Sequence, residues 1–345
     1  MKLSYLEKSE YERYTKEFDF SQFMRDKTFL ITGSGGMTGQ SIIKWILYEN
    51  EIHETNAKIY ASTRCPERVP DYIEKGDNVE LCEFGKEEDT VGAAKVDYVI
   101  HAASPTERDF FMKYPAETFR VIIDGCEKML ELCKQKNASF VLLSSVEVYG
   151  SLERSKPVDE RETGAIDSLN IRNGYPLGKK GSEFLAYAYF KEYGCDTKSV
   201  RISAIQGLYQ PYEEQRIFNE IARCIIENRN LIMRSDGMSK KSIVYTLDAV
   251  SGIFVALFKG EGGEVYNITN PSTFFTMNEL AEKLFSKFNN RLKIQYDKPA
   301  SSHAGYLPHL EIVQSIEKIS RLGWKPITGL EQIYEIDINR WKANS

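Results

Sequence analysis

The sequence offers few of the residues that usually hold metal ions or form structural disulfides. Only four histidines occur among the 345 residues, and the six cysteines include no Cys-x-x-Cys pair. Structural metal sites generally need such closely spaced cysteine or histidine ligands. We therefore predict no metal site, and we expect the cysteines to be free thiols of a protein in a reducing cytoplasm.

Long apolar segments and an excess of basic residues are also missing. No run approaches the roughly 20 apolar residues that a membrane helix needs. The first ten residues are too polar to form the apolar part of a signal peptide. The net charge of −5 gives no electrostatic basis for binding nucleic acid. These features predict a cytoplasmic globular protein without a membrane or nucleic-acid partner.

What the sequence does have is a glycine-rich turn between an apolar strand and a helix. Residues 32–39 read Thr-Gly-Ser-Gly-Gly-Met-Thr-Gly and follow an apolar run. Gly33 permits a tight turn, Gly36 lets the backbone approach a pyrophosphate, and Gly39 lets the helix pack closely on the sheet. The start of the helix offers free N–H groups to the phosphates, so we include Met37 in a predicted dinucleotide site.

Strand and helix signals alternate through the first 205 residues. Strand-like runs occupy 58–62, 78–82, 96–100, 140–144 and 197–202, and helical periodicity marks 119–133 and 175–193. Such alternation predicts an α/β fold, in which helices cover both faces of a doubly wound parallel sheet.

The later half of the chain is less regular. It shows helical patterns near 217–226, 277–288 and 311–322, and a strand near 264–268. We expect it to cover the carboxyl ends of the strands, where ligands of open α/β sheets bind. We predict a helical extension over 1–26, a Rossmann domain over 27–205 with later strands returning near 242–270, and a smaller, mainly substrate-binding domain over 206–345.

A tyrosine and a lysine stand four residues apart at the start of one predicted helix. This spacing places Tyr175 and Lys179 on one helix face. A lysine ammonium near a phenol favours the phenolate, so the tyrosine can act as a base near neutral pH. Ser145 follows a buried strand, and its hydroxyl can hydrogen-bond the substrate oxygen that loses a proton. These groups predict hydride transfer between a sugar alcohol and a nicotinamide.

Taken together, these segments resemble the extended short-chain dehydrogenase/reductase family of nucleotide-sugar epimerases, dehydratases and decarboxylases. Residues 32–39 match its TGxxGxxG motif, 100–104 and 144–150 match its fourth-strand and fifth-strand motifs, and 175–179 match YxxxK. The resemblance implies a Rossmann-type fold, a nucleotide-sugar substrate, NAD as cofactor and a homodimer. It assigns Tyr175 as base, Lys179 as its partner on the nicotinamide ribose, and Ala102, Ala103 and Ser104 to the cofactor site.

The reaction type depends on Glu147. Dehydratases of the family often carry an acid pair at positions 146–147, and this chain has Val146 before the glutamate. Decarboxylases pair the glutamate with a hydroxyl at position 146. Epimerisation needs only Ser145, Tyr175 and Lys179, and we predict an epimerase. A dehydratase or decarboxylase that uses Glu147, an NADP-dependent keto-sugar reductase and a non-catalytic dinucleotide-sensing module remain as alternatives.

The cofactor and substrate contacts depart from the family pattern in two places. No acidic residue follows the second strand, and Arg64 at that place could bind a 2′-phosphate. NADP therefore remains an alternative to NAD. Glu83 is expected to lie near the adenine. Lys241 occupies the usual place of the diphosphate-binding arginine, and we expect Arg216 and Arg234 to assist it.

Overall fold

A parallel sheet of seven strands organises the computed structural model, which describes residues 3–66, 69–70, 73, 77–106, 108–152, 156–297 and 311–343. The spatial order of the strands is β11-β6-β5-β4-β1-β2-β3. Their bounds are β1 Thr28–Thr32, β2 Lys58–Thr63, β3 Val79–Glu83, β4 Tyr98–His101, β5 Ser139–Ser145, β6 Thr197–Ile202 and β11 Val265–Ile268.

The burial of β5 and β6 shows that the sheet is covered on both faces. Every residue of β6 is buried, as is every residue of β5 after Ser139. Continuous burial is typical of parallel strands that have helices on both sides. All the strand pairs of the sheet are parallel, so Thr32, His101 and Ser145 end their strands at the same edge. This architecture confirms the predicted Rossmann-type α/β fold.

Helices pack on both faces of the sheet and extend beyond it. α6 has Pro115 in its first turn and ends where Asn137 adopts a left-handed conformation, and Gly194 ends α7 in the same way. The helix bounds are α1 Tyr5–Glu17, α2 Ser21–Met24, α3 Met37–His53, α4 Glu87–Val91, α5 Arg108–Lys113, α6 Pro115–Lys136, α7 Gly174–Tyr193, α8 Ile217–Glu227, α9 Thr246–Lys259, α10 Met277–Phe288, α11 Glu317–Ser320 and α12 Leu330–Ala343.

Three pairs of short strands lie beyond the carboxyl edge of the main sheet. β7 and β10 pair in parallel, β8 and β13 pair in parallel, and β9 and β12 pair antiparallel. They place the segment around Lys241 next to the chain that leaves β6. Their bounds are β7 Ala204–Gln206, β8 Leu231–Met233, β9 Lys240–Lys241, β10 Ile243–Tyr245, β12 Phe275–Thr276 and β13 Ile294–Tyr296.

The N-terminal helix joins the two ends of the chain. Tyr14 is fully buried, its ring packs edge-on against Trp45 of α3, and its hydroxyl lies 2.6 Å from the hydroxyl of Thr328. Arg13 donates to the same Thr328 oxygen over 2.9 Å. Lys44 of α3 forms a 2.5 Å ion pair with Glu7. The predicted helical extension is therefore an integral part of the core.

The prediction of a helix near residues 311–322 is mostly wrong. Residues 311–316 are not helical, and only Glu317–Ser320 forms the short α11. Gln314 makes a parallel bridge to Val158, and its side-chain amide donates to the backbone oxygen of Arg201 over 2.8 Å. These contacts hold the segment extended. No described helix is long and apolar enough to span a membrane.

Candidate active site

The glycine-rich turn after β1 is too tightly packed for larger residues. Gly33 has a φ of +70°, and a Cβ atom there would lie 2.8 Å from the backbone nitrogen of Ala103. A Cβ atom on Gly39 would lie 2.3 Å from the carbonyl oxygen of Gly33. Both positions therefore need glycine, because a side chain would displace the backbone of the turn.

The first turn of α3 faces the space above this glycine-rich turn. Gly36 is the N-cap residue and Met37 is the first helical residue, and no side chain caps this end within the described part of the chain. The first-turn N–H groups and the positive end of the helix dipole then suit the phosphates of a dinucleotide.

The predicted adenine contacts lie at the ends of β2 and β3. Arg64 is exposed, and Glu83 is an exposed carboxylate 2.9 Å from the ammonium of Lys86. The sequence interpretation missed Glu87, which is buried and accepts hydrogen bonds from the Ser62 hydroxyl over 2.6 Å and from the Gly85 N–H over 2.8 Å. Glu87 fixes the loops at this end of the site.

The segment 102–104 follows β4 and lies against the glycine-rich turn. The backbone nitrogen of Ala103 donates to the Thr32 hydroxyl over 3.1 Å, and Ala102 contacts Gly33. Ser104 donates to the carbonyl oxygen of Pro105 over 3.2 Å. His101 is buried beside Thr32, and burial lowers its pKa to about 3, so this ring stays neutral.

Ser145 and Tyr175 meet at the carboxyl end of β5. Ser145 accepts a hydrogen bond from the Glu147 N–H over 3.2 Å, and its hydroxyl lies close enough to the Tyr175 phenol to lower the pKa of Tyr175. The pKa of Tyr175 is raised to about 12, mainly by burial and also by the charge of Glu147, whereas Ser145, Arg172 and Arg216 oppose the shift. The phenol is therefore protonated at neutral pH in this state.

Lys179 is buried one helical turn after Tyr175. Its ammonium donates to the backbone oxygen of Leu143 in β5 over 2.7 Å. Burial lowers the pKa of Lys179 to about 8, and Glu183 opposes this shift. The positive charges that lower the pKa of Tyr175 most are those of Arg172 and Arg216, so Lys179, which was expected to lower it, is not the main influence in this structure.

Glu147 has an ionic partner that the sequence interpretation missed. Arg172 donates from Nη2 to Oε1 of Glu147 over 2.9 Å. Both side chains lie largely out of solvent, and among the described residues the second oxygen of Glu147 and Nη1 of Arg172 have no hydrogen-bond partner. Arg172 stands three residues before Tyr175, outside the YxxxK pattern, so the motif alone could not reveal it.

The structure brings two of the three predicted phosphate ligands near this pair. Lys241 is exposed at the surface. Partial desolvation of its ammonium lowers the pKa of Lys241, Arg172 and Arg216 lower it as well, and Glu147 opposes the shift. Arg216 precedes α8 and lies 3.3 Å from Glu214. Arg234 is exposed after β8 and, among the described residues, forms no hydrogen bond or ion pair with this group. Glu147 with Arg172, Arg216 and Lys241 will be called the charged cluster.

A glycine-rich turn at the sheet edge beside a serine, tyrosine and lysine defines a dinucleotide-dependent enzyme of the short-chain dehydrogenase/reductase type. The model of the NAD dependent epimerase/dehydratase family matches residues 29–269. The chain belongs to this family, which confirms the resemblance, the enzyme class and NAD as cofactor.

Known proteins share the sequence pattern and the fold. The chain is 26% identical over 304 residues to UDP-glucuronic acid decarboxylase 3 of Arabidopsis thaliana, covering 88% of this chain and 85% of that protein. It superposes on the dTDP-glucose 4,6-dehydratase of Bacillus anthracis in complex with NAD, with TM-score 0.74, 22% identity and coverage of 92% and 97%. The UDP-glucose 4-epimerase of Thermotoga maritima gives TM-score 0.76, 19% identity and coverage of 92% and 99%.

Proposed function

We propose that the protein oxidises a nucleotide sugar transiently at a ring carbon and acts on the keto sugar before reducing it again. The observation that carries this proposal is the placement of Ser145 at the end of β5 beside Tyr175 and buried Lys179 in the first turns of α7, at the sheet edge that also holds the glycine-rich turn. NAD, when bound, supplies the hydride acceptor and a positive ring charge.

In this proposal each side chain has one task. Tyr175 takes the proton of the substrate hydroxyl as the hydride leaves the same carbon, and returns it in the final reduction. Ser145 hydrogen-bonds the reacting oxygen and holds it near the phenol. Lys179 contributes charge beside the cofactor ribose. The glycine-rich turn and the first turn of α3 hold the pyrophosphate.

The charged cluster supports a nucleotide-linked sugar acid as the substrate. Arg216 and Lys241 supply positive charge near Glu147, and such groups suit a diphosphate and a carboxylate. Once the ring carbon two bonds from the carboxyl carbon is a ketone, that carboxylate can leave as carbon dioxide. The name of the relative from Arabidopsis thaliana supports this outcome, and we favour decarboxylation.

Epimerisation is the second candidate. Val146 provides no hydroxyl at the position where decarboxylases of the family carry one. Ser145, Tyr175 and Lys179 alone suffice to oxidise a ring carbon and return the hydride to the opposite face. Dehydration is less favoured, because it uses an acid pair and Val146 supplies no second acid.

Product analysis separates these reactions. The purified protein is incubated with nucleotide-linked hexuronic acids and with neutral nucleotide hexoses, and the products are examined by mass spectrometry and NMR. Loss of the mass of carbon dioxide supports decarboxylation, and an isomer of unchanged mass supports epimerisation. Absence of any product from the whole panel, with NAD bound, would reject the proposed function. Tyr175→Phe is the inactive control.

We also propose that two copies of the chain associate through α6 and α7. The exposed face of these helices carries large apolar side chains, namely Phe119, Phe184, Tyr187 and Tyr193. Contiguous exposed apolar groups of this kind mark association surfaces.

A further inference from the structure

Phe111 contacts both Tyr175 and Arg172 in the candidate active site. Its buried ring stacks on the ring of Tyr175, with centroids 4.9 Å apart and planes 18° apart. The guanidinium carbon of Arg172 lies 5.1 Å from the centroid of the same ring. Phe111 therefore contacts the proposed acid–base group and the ionic partner of Glu147 at once.

Arg172 itself is held by its own short helix. It lies in the single-turn 3-10 helix Ile171–Asn173, and its backbone N–H donates to the side chain of Asn170 over 3.0 Å. Its side chain is buried, with only 10% of its surface exposed. A buried guanidinium that forms one ion pair and one ring contact fixes the geometry of both partners.

We propose that Arg172 is a positioning residue, which orients Glu147 through its Nη2 hydrogen bond and the Tyr175 ring through Phe111. This inference rests on the proposed role of Tyr175 as the acid–base group. Neither Arg172 nor Phe111 belongs to the motifs that identify the family, and the inference assigns both to the catalytic geometry of this chain.

The unpaired atoms of the ion pair indicate how Arg172 orients the carboxylate of Glu147. Oε2 of Glu147 and Nη1 of Arg172 are buried and find no hydrogen-bond partner in the part of the chain that the structure describes, although such atoms cost free energy when left unsatisfied. Arg172 keeps Oε1 engaged, so Oε2 remains the acceptor for a substrate hydroxyl. Without Arg172 the carboxylate could rotate and use either oxygen elsewhere.

The Tyr175 phenol faces charges from several elements, and these must be separated in a test. Glu147 raises the pKa of Tyr175, whereas Arg172 and Arg216 lower it, and Lys179 lies on the same helix. Arg216 thus matches Arg172 in its effect on the pKa of Tyr175, but in the described part of the chain only the guanidinium of Arg172 lies over the Phe111 ring. Arg216→Gln is therefore the matched control, because it removes a similar charge effect on Tyr175 without disturbing the contact between Arg172 and Phe111.

The first measurement needs no substrate. The protein is labelled with ¹³C-tyrosine, the Tyr175 ring signal is assigned by its loss in Tyr175→Phe, and spectra are recorded with NAD bound. We expect Arg172→Gln and Phe111→Leu to shift or broaden this signal, and Arg172→Lys and Arg216→Gln to leave it nearly unchanged. An unchanged ring signal in Arg172→Gln would overturn the proposal, whatever the substrate is.

The second measurement uses the substrate found in the product analysis. Misplacement by about 1 Å can cost about 100-fold in rate, so we expect Arg172→Gln to lower kcat by that order and Arg172→Lys to restore much of it, with KM little changed. The acidic limb of the pH profile should move to higher pH in both Arg172→Gln and Arg216→Gln, but stay in place in Phe111→Leu. Thermal unfolding checks that each variant is folded, and equal kcat in Arg172→Gln and wild type would overturn the proposal.

Discussion

The ammonium of Lys179 donates a hydrogen bond to the backbone oxygen of Leu143 over 2.7 Å, which ties the first turns of α7 to the central strand β5. The contact holds Tyr175, one turn earlier, at the end of the strand that supplies Ser145. The geometry of the proposed hydride-transfer site therefore depends on helix–sheet packing as well as on the motif residues.

Tyr175→Phe should abolish turnover and leave folding and NAD binding intact. The substitution removes only the phenolic oxygen, and loss of an acid–base group typically costs about 100-fold or more. Turnover and NAD content are measured side by side. Tyr187→Phe, on the exposed face of the same helix, is the control and should keep full activity. Near-normal turnover in Tyr175→Phe would remove this residue from the mechanism.

Gly39→Ala should prevent NAD binding, because its Cβ atom would lie 2.3 Å from the carbonyl oxygen of Gly33. Gly35→Ala is the matched control, since its Cβ atom would meet the Thr63 hydroxyl at an ordinary 3.5 Å. Both variants are compared by thermal unfolding and by NAD content after purification. Equal NAD content in the two variants would contradict the proposed contact with the cofactor.

Lys241→Ala should raise KM at least several-fold with little change in kcat. A charged hydrogen bond to phosphate contributes about 1.5–3 kcal/mol, and it is made about equally in the ground and transition states. Added salt should reduce the difference from wild type. Lys240→Ala, next to it in β9, is the control. A fall in kcat at constant KM would instead assign Lys241 to the chemical step.

The exposed apolar face of α6 and α7 predicts a homodimer at micromolar concentration. Phe184 is 68% exposed in the single chain, so Phe184→Glu should shift the mass in light scattering toward the monomer. Ile232→Glu, at a 51% exposed position in β8, should leave the mass unchanged. A monomeric wild-type protein would reject the association surface.

Asp337 should make the folded state less stable as the pH rises. Burial raises the pKa of Asp337 to about 7, from a usual value near 3.8. Between these values the unfolded chain releases the proton that the folded chain keeps, so this group destabilises the fold progressively from pH 4 to pH 7. Asp337→Asn stays neutral and should lose that trend.

Urea unfolding at pH 5 and pH 8 tests this prediction. Relative to wild type, Asp337→Asn should gain stability at pH 8, by an amount on the order of a few kcal/mol. The side-chain amide of Gln206 donates to Asp337 over 2.7 Å, and an asparagine oxygen can accept the same bond. Asp89→Asn, at an exposed position, is the control. A pH-independent difference would show that Asp337 does not titrate in this range.

Local sequence patterns predicted much of the fold. Thr197–Ile202 and Met277–Phe288 have the predicted bounds, since clear periodicity and end signals lie within those segments. The helix Thr246–Lys259 was not predicted. Twelve of its residues, Thr246 to Leu257, are buried, so it lacks the polar face that marks a surface helix.

The candidate site was predictable only where it follows family motifs. Ser145, Tyr175 and Lys179 lie together as their spacing suggests. Arg172 and Phe111 became visible only in three dimensions, because they reach the site through an ion pair and a ring stack between separate elements. Arg234 shows the opposite case, a basic residue close in sequence to Lys241 that forms no ion pair or hydrogen bond with the charged cluster among the described residues.

The hydrogen bonds between α1 and Thr328 have a consequence for folding during biosynthesis. Arg13 and Thr328 are 315 residues apart, so the first helix leaves the ribosome long before its hydrogen-bond partner exists. Until then the aromatic residues of α1 can make only some of the packing contacts that they have in the folded protein. Contacts of such long range slow folding and leave apolar surface open to aggregation. Nascent chains should therefore depend on chaperones until nearly the whole polypeptide has been made.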